Sequence, residues 1–282
     1  MSNQSQALRE LPLDVTRDRA GRDAWRADGA RQHSRPVTET ARDNITPAAT
    51  LLLLLVCTDL AFIVLHLANV ETGWLRGVGI SLEADGGLPE TYQYVKEFWI
   101  AVCMAATFWR TRIRAYAVWA IMFAFLLVDD AGQVHERVGA WLGQQYALPA
   151  LFGLRADDMG ELLFAAMIGT SMLALLGLAS WRGGEQSGRI TRDVLCLIVA
   201  LAILGVFVDM LHVVSYLRRS LVAQVLLVVE DGGEMLVMSA LTAYAFHVAS
   251  HGGRTRFDLW AGVKARFSGT ATPDIASTRH AV

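Results

Sequence analysis

The apolar segment FLLVDDAGQVHE carries Asp129, Asp130, His135 and Glu136 within eight positions. Carboxylates and imidazole at that spacing can hold a divalent cation or pass a proton. Neither group suits lipid, because a charge at a bilayer centre costs at least ~2.5–3.5 kcal/mol even on insertion scales. Similar groups interrupt the other apolar runs: Asp59 and His66, then Asp157, Asp158 and Glu161, then Asp209 and His212, then Glu230, Asp231 and Glu234. Histidine and carboxylate without thiolate favour zinc, iron or manganese over copper(I) or an iron–sulfur cluster. Cys57, Cys103 and Cys196 each sit inside an apolar run with no C-x-x-C spacing, so they suggest neither a disulfide framework nor a thiolate site. The residue types nominate His135, His212, Asp130, Asp209 and Glu230 as metal ligands. Glu136 or Glu234 is then free to act as general base on a metal-bound water. Asp59, His66, Asp129, Glu161 and Asp231 extend the polar site, and Glu90 and Lys96 cover its mouth.

Helical geometry groups these residues further. At about 100° per residue, Asp59 and His66 point nearly the same way, as do Asp129 and Glu136, while Asp209 with His212 and Asp231 with Glu234 are i, i+3 neighbours. Asp130 and His135 point away from the Asp129 face, so that helix either carries polar groups around most of its end or unwinds there. Gly232 and Gly233 lie beside the acids of the last run, and each costs about 1 kcal/mol against alanine within a helix. They imply close packing or a local break. In SLEADGGLPETYQYVKEFW, Gly86, Gly87 and Pro89 make a turn, Glu90 follows as an early-helix acid, and Lys96 and Glu97 enter the membrane boundary.

The elements that must position these groups are membrane helices. Of the 282 residues 54% are apolar and 18% charged, with a mean hydropathy of +0.36. A typical soluble enzyme is excluded on that balance, which lies outside the usual ~25% charged. The net charge of −2, without a basic stripe, excludes a nucleic-acid binder. The fold class expected is all-α, a polytopic bundle of six transmembrane helices at about 48–70, 92–109, 115–138, 160–181, 193–215 and 221–248. Residues 1–47, with eight arginines and seven acids, read as a disordered charged tail, and 48–250 as the membrane domain. Residues 251–282 form a second tail, in which Phe257, Trp260, Val263 and Phe267 beside Lys264 and Arg266 suit a short helix lying on the membrane surface.

Arginine sets the orientation. The turns at 110–114 and 182–192 hold Arg110, Arg112, Arg114, Arg182, Arg189 and Arg192, whereas the loops at 71–91 and 139–159 hold only Arg76 and Arg155. Positive-inside places both termini in the cytoplasm, and at ~1.5 Å rise per residue Asp129 and Asp209 then lie roughly 21 and 24 Å above the inner ends of their spans. The acids concentrate from mid-membrane outward.

The segments DGGLPETYQYVK (85–96), FLLVDDAGQVHE (125–136) and VEDGGEML (229–236) together resemble a family of uncharacterised bacterial multi-pass membrane proteins. That family shares a DD-x4-HE element on a middle span and an acidic ED element on the last. The resemblance covers about residues 48–250 and implies that the three elements belong together in a protein of the bacterial inner membrane. A looser likeness is to membrane hydrolases of the alkaline ceramidase type, in which histidines and an aspartate hold zinc within a helical bundle. Six spans in place of seven, and no paired histidines on one helix, set this chain apart from them. The expected function is metal binding at an outward-facing site, with metal-dependent catalysis on a lipid-like substrate as its enzymatic form. The alternatives are a proton- or cation-coupled transporter and a structural plug, in which Arg137, Arg155, Arg218 and Arg219 neutralise some of the acids. The lipid bilayer is the expected partner.

Overall fold

A computed structural model describes residues 37–73, 79–151, 154–180, 184–208, 221–255 and 259. Asp209, His212, Arg218, Arg219 and nearly all of the expected surface helix near residue 260 lie outside the described residues. Two units divide the chain at residue 46. Of the first, residues 37–46 are described and are helical. The second contains every residue whose side chain is described below.

The described residues form seven α-helices and no strand: α1 Val37–Thr72, α2 Leu88–Thr111, α3 Arg114–Gly132, α4 Val134–Gln145, α5 Ala156–Ser180, α6 Gly184–Ala202 and α7 Leu221–Ser250. A π-helical segment, Ile203–Val208, continues α6. Three stretches, Pro47–Thr72, Arg114–Gly132 and Ala156–Ser180, are long and apolar enough to cross a membrane. On the first and last, only 11% and 6% of the apolar window is buried by protein. Their remaining apolar surface needs lipid, because water would be expelled from so large a patch.

Local chemistry explains the helix ends. Gly87, Pro89 and Glu90 open α2, where the absent proline N–H would have no helical partner and the acid faces the positive dipole end. Arg112, at φ 58°, closes α2 by donating its N–H to Phe108 O at 2.7 Å. The Arg155 N–H donates to Asp158 Oδ2 at 2.8 Å, a side-chain cap on the start of α5.

The single helix expected over 115–138 is two. Gln133 adopts φ 49° between α3 and α4, and Asp129 Oδ1 accepts the His135 N–H at 2.7 Å, satisfying an early backbone donor of α4. Asp129 therefore ends one helix and starts the next. Gly232 and Gly233, by contrast, lie within the continuous α7. A Cβ on Gly232 would sit 2.9 Å from Ile63 Cδ1 and one on Gly233 3.0 Å from Leu204 Cδ1, so these glycines permit close packing and make no break.

The apolar core joins α2, α3, α6 and α7 through Ile100, Met104, Tyr116, Trp119, Phe123, Ile190, Val194, Met238 and Leu241. It fills the bundle toward the end that carries Arg110, Arg112 and Arg114. The acids gather at the opposite end.

Candidate functional site

On α2, Glu90, Tyr94 and Glu97 follow at i, i+4 and i+7 and so share one helix face. The Tyr94 hydroxyl donates to Glu90 Oε1 at 2.5 Å and lies 3.4 Å from the Asp130 carbonyl oxygen. Glu90 also accepts the Gly86 N–H, which ties the preceding turn to the same face. One turn further in, Glu97 is 4% exposed and its carboxyl comes within hydrogen-bonding reach of the Asp130 carboxyl. Oε2 of Glu97 has no hydrogen-bond donor among the described residues.

Asp130 belongs to a tighter group. One ligand atom each from Asp129, Asp130 and His135 lies within 4.8 Å of the other two. His135 Nδ1 is 3.4 Å from Asp129 Oδ1, and that carboxylate also takes the His135 backbone N–H. The kink at Gln133 produces this meeting, since it brings the first turn of α4 back over the last turn of α3. In one straight helix, residues 130 and 135 would diverge by about 140°.

Glu161 and Glu234 approach from other helices. Glu161 feels the charges of His135 and Glu136, and its position is set by the contact of α5 with α4. A Cβ on Gly160 would lie 2.0 Å from Gly139 O, one on Gly139 2.3 Å from Glu161 Cγ, and one on Gly143 2.6 Å from Ala156 O. Only glycine admits this approach, a small-xxx-small packing of two helices. Glu234, on α7, acts on Glu97 through space and packs against Gly205 in the π-helical segment, where a Cβ would meet its Oε1 at 2.1 Å. π-Helical turns recur at functional sites.

Other candidates fall elsewhere. Lys96, expected at the membrane boundary, is fully buried and donates to Asp59 Oδ1 at 2.9 Å, Met235 O at 3.0 Å and Ser239 Oγ at 3.3 Å. Asp59 is therefore the counter-ion of Lys96, not a member of the acid group, because Lys96 projects about 100° around α2 from Glu97, toward Asp59 on α1 and Met235 on α7. His66 Nδ1 accepts the Leu82 N–H at 3.2 Å and lies 3.5 Å from Ser81 Oγ, so it anchors the loop before α2. Glu136 is exposed on α4. Glu230 and Asp231 are half-buried on α7 outside the group of Asp129, Asp130 and His135. Arg155 binds Asp158 through Nη2 at 2.7 Å, and this hydrogen bond raises its guanidinium pKa further; its cation caps the start of α5.

Two residues outside the expected set matter most. Glu97 was legible as the end of a polar i, i+4, i+7 stripe on an apolar helix, a pattern masked by the adjacent Lys96. Asp193, expected at the start of a span, is fully buried midway along α6 and accepts the Tyr244 hydroxyl at 2.7 Å.

The family model described as a domain of unknown function (DUF8692) matches residues 91–248, more than half of the chain. It takes in Tyr94, Glu97, Asp129, Asp130, His135, Glu161 and Glu234 and leaves out α1. No curated protein and no solved structure matches.

Proposed function

We propose that this chain, which belongs to the DUF8692 family, is a multi-pass membrane protein that binds a divalent metal ion through Asp129, Asp130 and His135, with Glu97 joining as a fourth donor through its reach to Asp130. The observation that carries the reading is the meeting of the Glu97 and Asp130 carboxyls inside a helical bundle, beside Asp129 and Glu234. Carboxyls so close cannot both stay ionised without a cation, and a proton or a metal ion must lie among them. The adjacent imidazole favours the metal. Three carboxylates and one imidazole suit zinc, iron or manganese.

The topology that accompanies this reading has six spans, both termini in the cytoplasm of a bacterial cell and the site toward the non-cytoplasmic face. The arginines at 110–114 and the placement of the acids at the other end of α2 and α3 support it. As an enzyme, the protein would use Glu234 ahead of Glu136 as general base, since Glu234 is half-buried beside Glu97 and Glu136 faces outward. A substrate reaching a site among membrane helices would be lipid-like.

One observation favours transport of a proton or cation as a second reading. Asp193 with Tyr244, and the His247 ring 4.2 Å from that of His251, extend titratable groups to the inner end of the bundle. Metal analysis of the protein purified in mild detergent, before and after loading, separates the two. The metal reading expects about one zinc, iron or manganese per chain, lost in His135→Ala, with affinity falling roughly 10–100-fold in Glu97→Gln. Ion flux in proteoliposomes without retained metal would favour transport.

A further inference from the structure

We propose that Asp59 is a positioning residue for the acid site: it holds the Lys96 ammonium toward α1 and α7, and without it Lys96 turns toward the carboxylates and takes the place of the metal ion. This rests on the metal reading above and adds the residue that keeps the chain's own cation out of the site.

The pair is built for that task. Lys96 and Asp59 are both fully buried, 2.9 Å apart, and the second Asp59 oxygen accepts the Ser239 hydroxyl at 2.5 Å. The three protons of the ammonium go to Asp59, Met235 O and Ser239 Oγ, and the Tyr92 ring centroid lies 4.6 Å away. All three helices α1, α2 and α7 meet at this point. The next residue, Glu97, projects about 100° around α2 into the acid group, yet its charge still reaches Lys96. The same turn of helix thus carries a cation and an anion about 100° apart, and the Asp59 carboxylate keeps them apart.

The docking of α1 also depends on this contact. Over Pro47–Thr72 the buried side chains are Leu55, Asp59 and His66, two of them polar. Lipid offers no hydrophobic drive for one helix to join another, so polar contacts carry much of the association. Lys96 lies within the family-matched residues and its counter-ion does not. When Asp59 loses its charge, a desolvated ammonium is left without a partner and seeks another anion. Glu97 is the anion beside it on the same helix.

The test is titration of the full-length protein in mild detergent with Mn2+ alone, free Mn2+ being followed by electron paramagnetic resonance. Asp59→Asn is expected to weaken Mn2+ binding about tenfold or more, the size of a lost supporting group. The double variant Asp59→Asn/Lys96→Met removes the competing cation and is expected to restore the wild-type affinity. Loss in Asp59→Asn that persists in a folded double variant would overturn the proposal, because it would mean packing and not charge. Unchanged binding in folded Asp59→Asn would overturn it and leave the metal reading standing, whereas a wild type that binds no Mn2+ would remove both. Should Asp59→Asn not fold, the double variant, which has no unpaired buried charge, decides: wild-type affinity supports the proposal and a tenfold loss overturns it.

Discussion

The Glu97 carboxyl meets Asp130, and its Oε2 has no hydrogen-bond donor among the described residues. Such a group is costly unless something charged or protic completes it. Glu97→Gln tests what that is. The amide keeps the shape and can donate a hydrogen bond to Asp130, so thermal stability of the metal-free protein is expected to hold or rise while metal affinity falls about tenfold. Equal metal affinity in the two proteins, measured by the same titration, would remove Glu97 from the site. The chemistry at this scale was partly legible. Asp129, Asp130 and His135 stand out because charged residues in an apolar run have few reasons to be there. Glu97 does not, because a Lys-Glu pair near the start of a helix is also what a snorkelling membrane boundary produces. Burial of Lys96 by Asp59 depends on a helix 37 residues earlier, which no local pattern reveals.

At the scale of elements, the kink at Gln133 and the glycine contact of α4 with α5 set where His135 stands. Gly160→Ala would push a methyl group to within 2.0 Å of Gly139 O, a backbone atom that cannot swing aside. The expected cost is about 1–3 kcal/mol in an unfolding titration, together with weaker metal binding as α4 moves His135 off Asp130. Gly177→Ala, with nothing within 4 Å of its added methyl, should leave metal binding unchanged and stability equal or up to about 1 kcal/mol higher, and serves as the control. If Gly160→Ala matched that control, α4 would not be positioned by this contact. The helices themselves were readable from apolar run lengths, and α2, α5 and α7 begin or end within about four residues of expectation. The break at Gln133 was not. Glutamine has no special tolerance for positive φ, and the turn is held by the capping bond of Asp129, a contact visible only once the chain has folded.

Over the whole molecule, charge is sorted along the bundle. Residues 48–250 hold 12 basic and 18 acidic side chains, and the acids crowd the end away from Arg110, Arg112 and Arg114. Positive-inside then gives a prediction for intact cells: a cysteine at Gln144, exposed at the end of α4, reacts with a membrane-impermeant maleimide in a background lacking the native cysteines, and one at Arg112 does not. The reverse pattern would invert the topology and place the acid site on the cytoplasmic side. The central claim concerns the cation among Glu97, Asp129, Asp130 and His135. Its most direct test is the metal content of the detergent-purified protein after loading and removal of excess ion, beside an Asp130→Asn/His135→Ala variant of equal thermal stability. The account predicts about one zinc, iron or manganese per wild-type chain and none in the variant. Equal metal in both, or none in either, would contradict it.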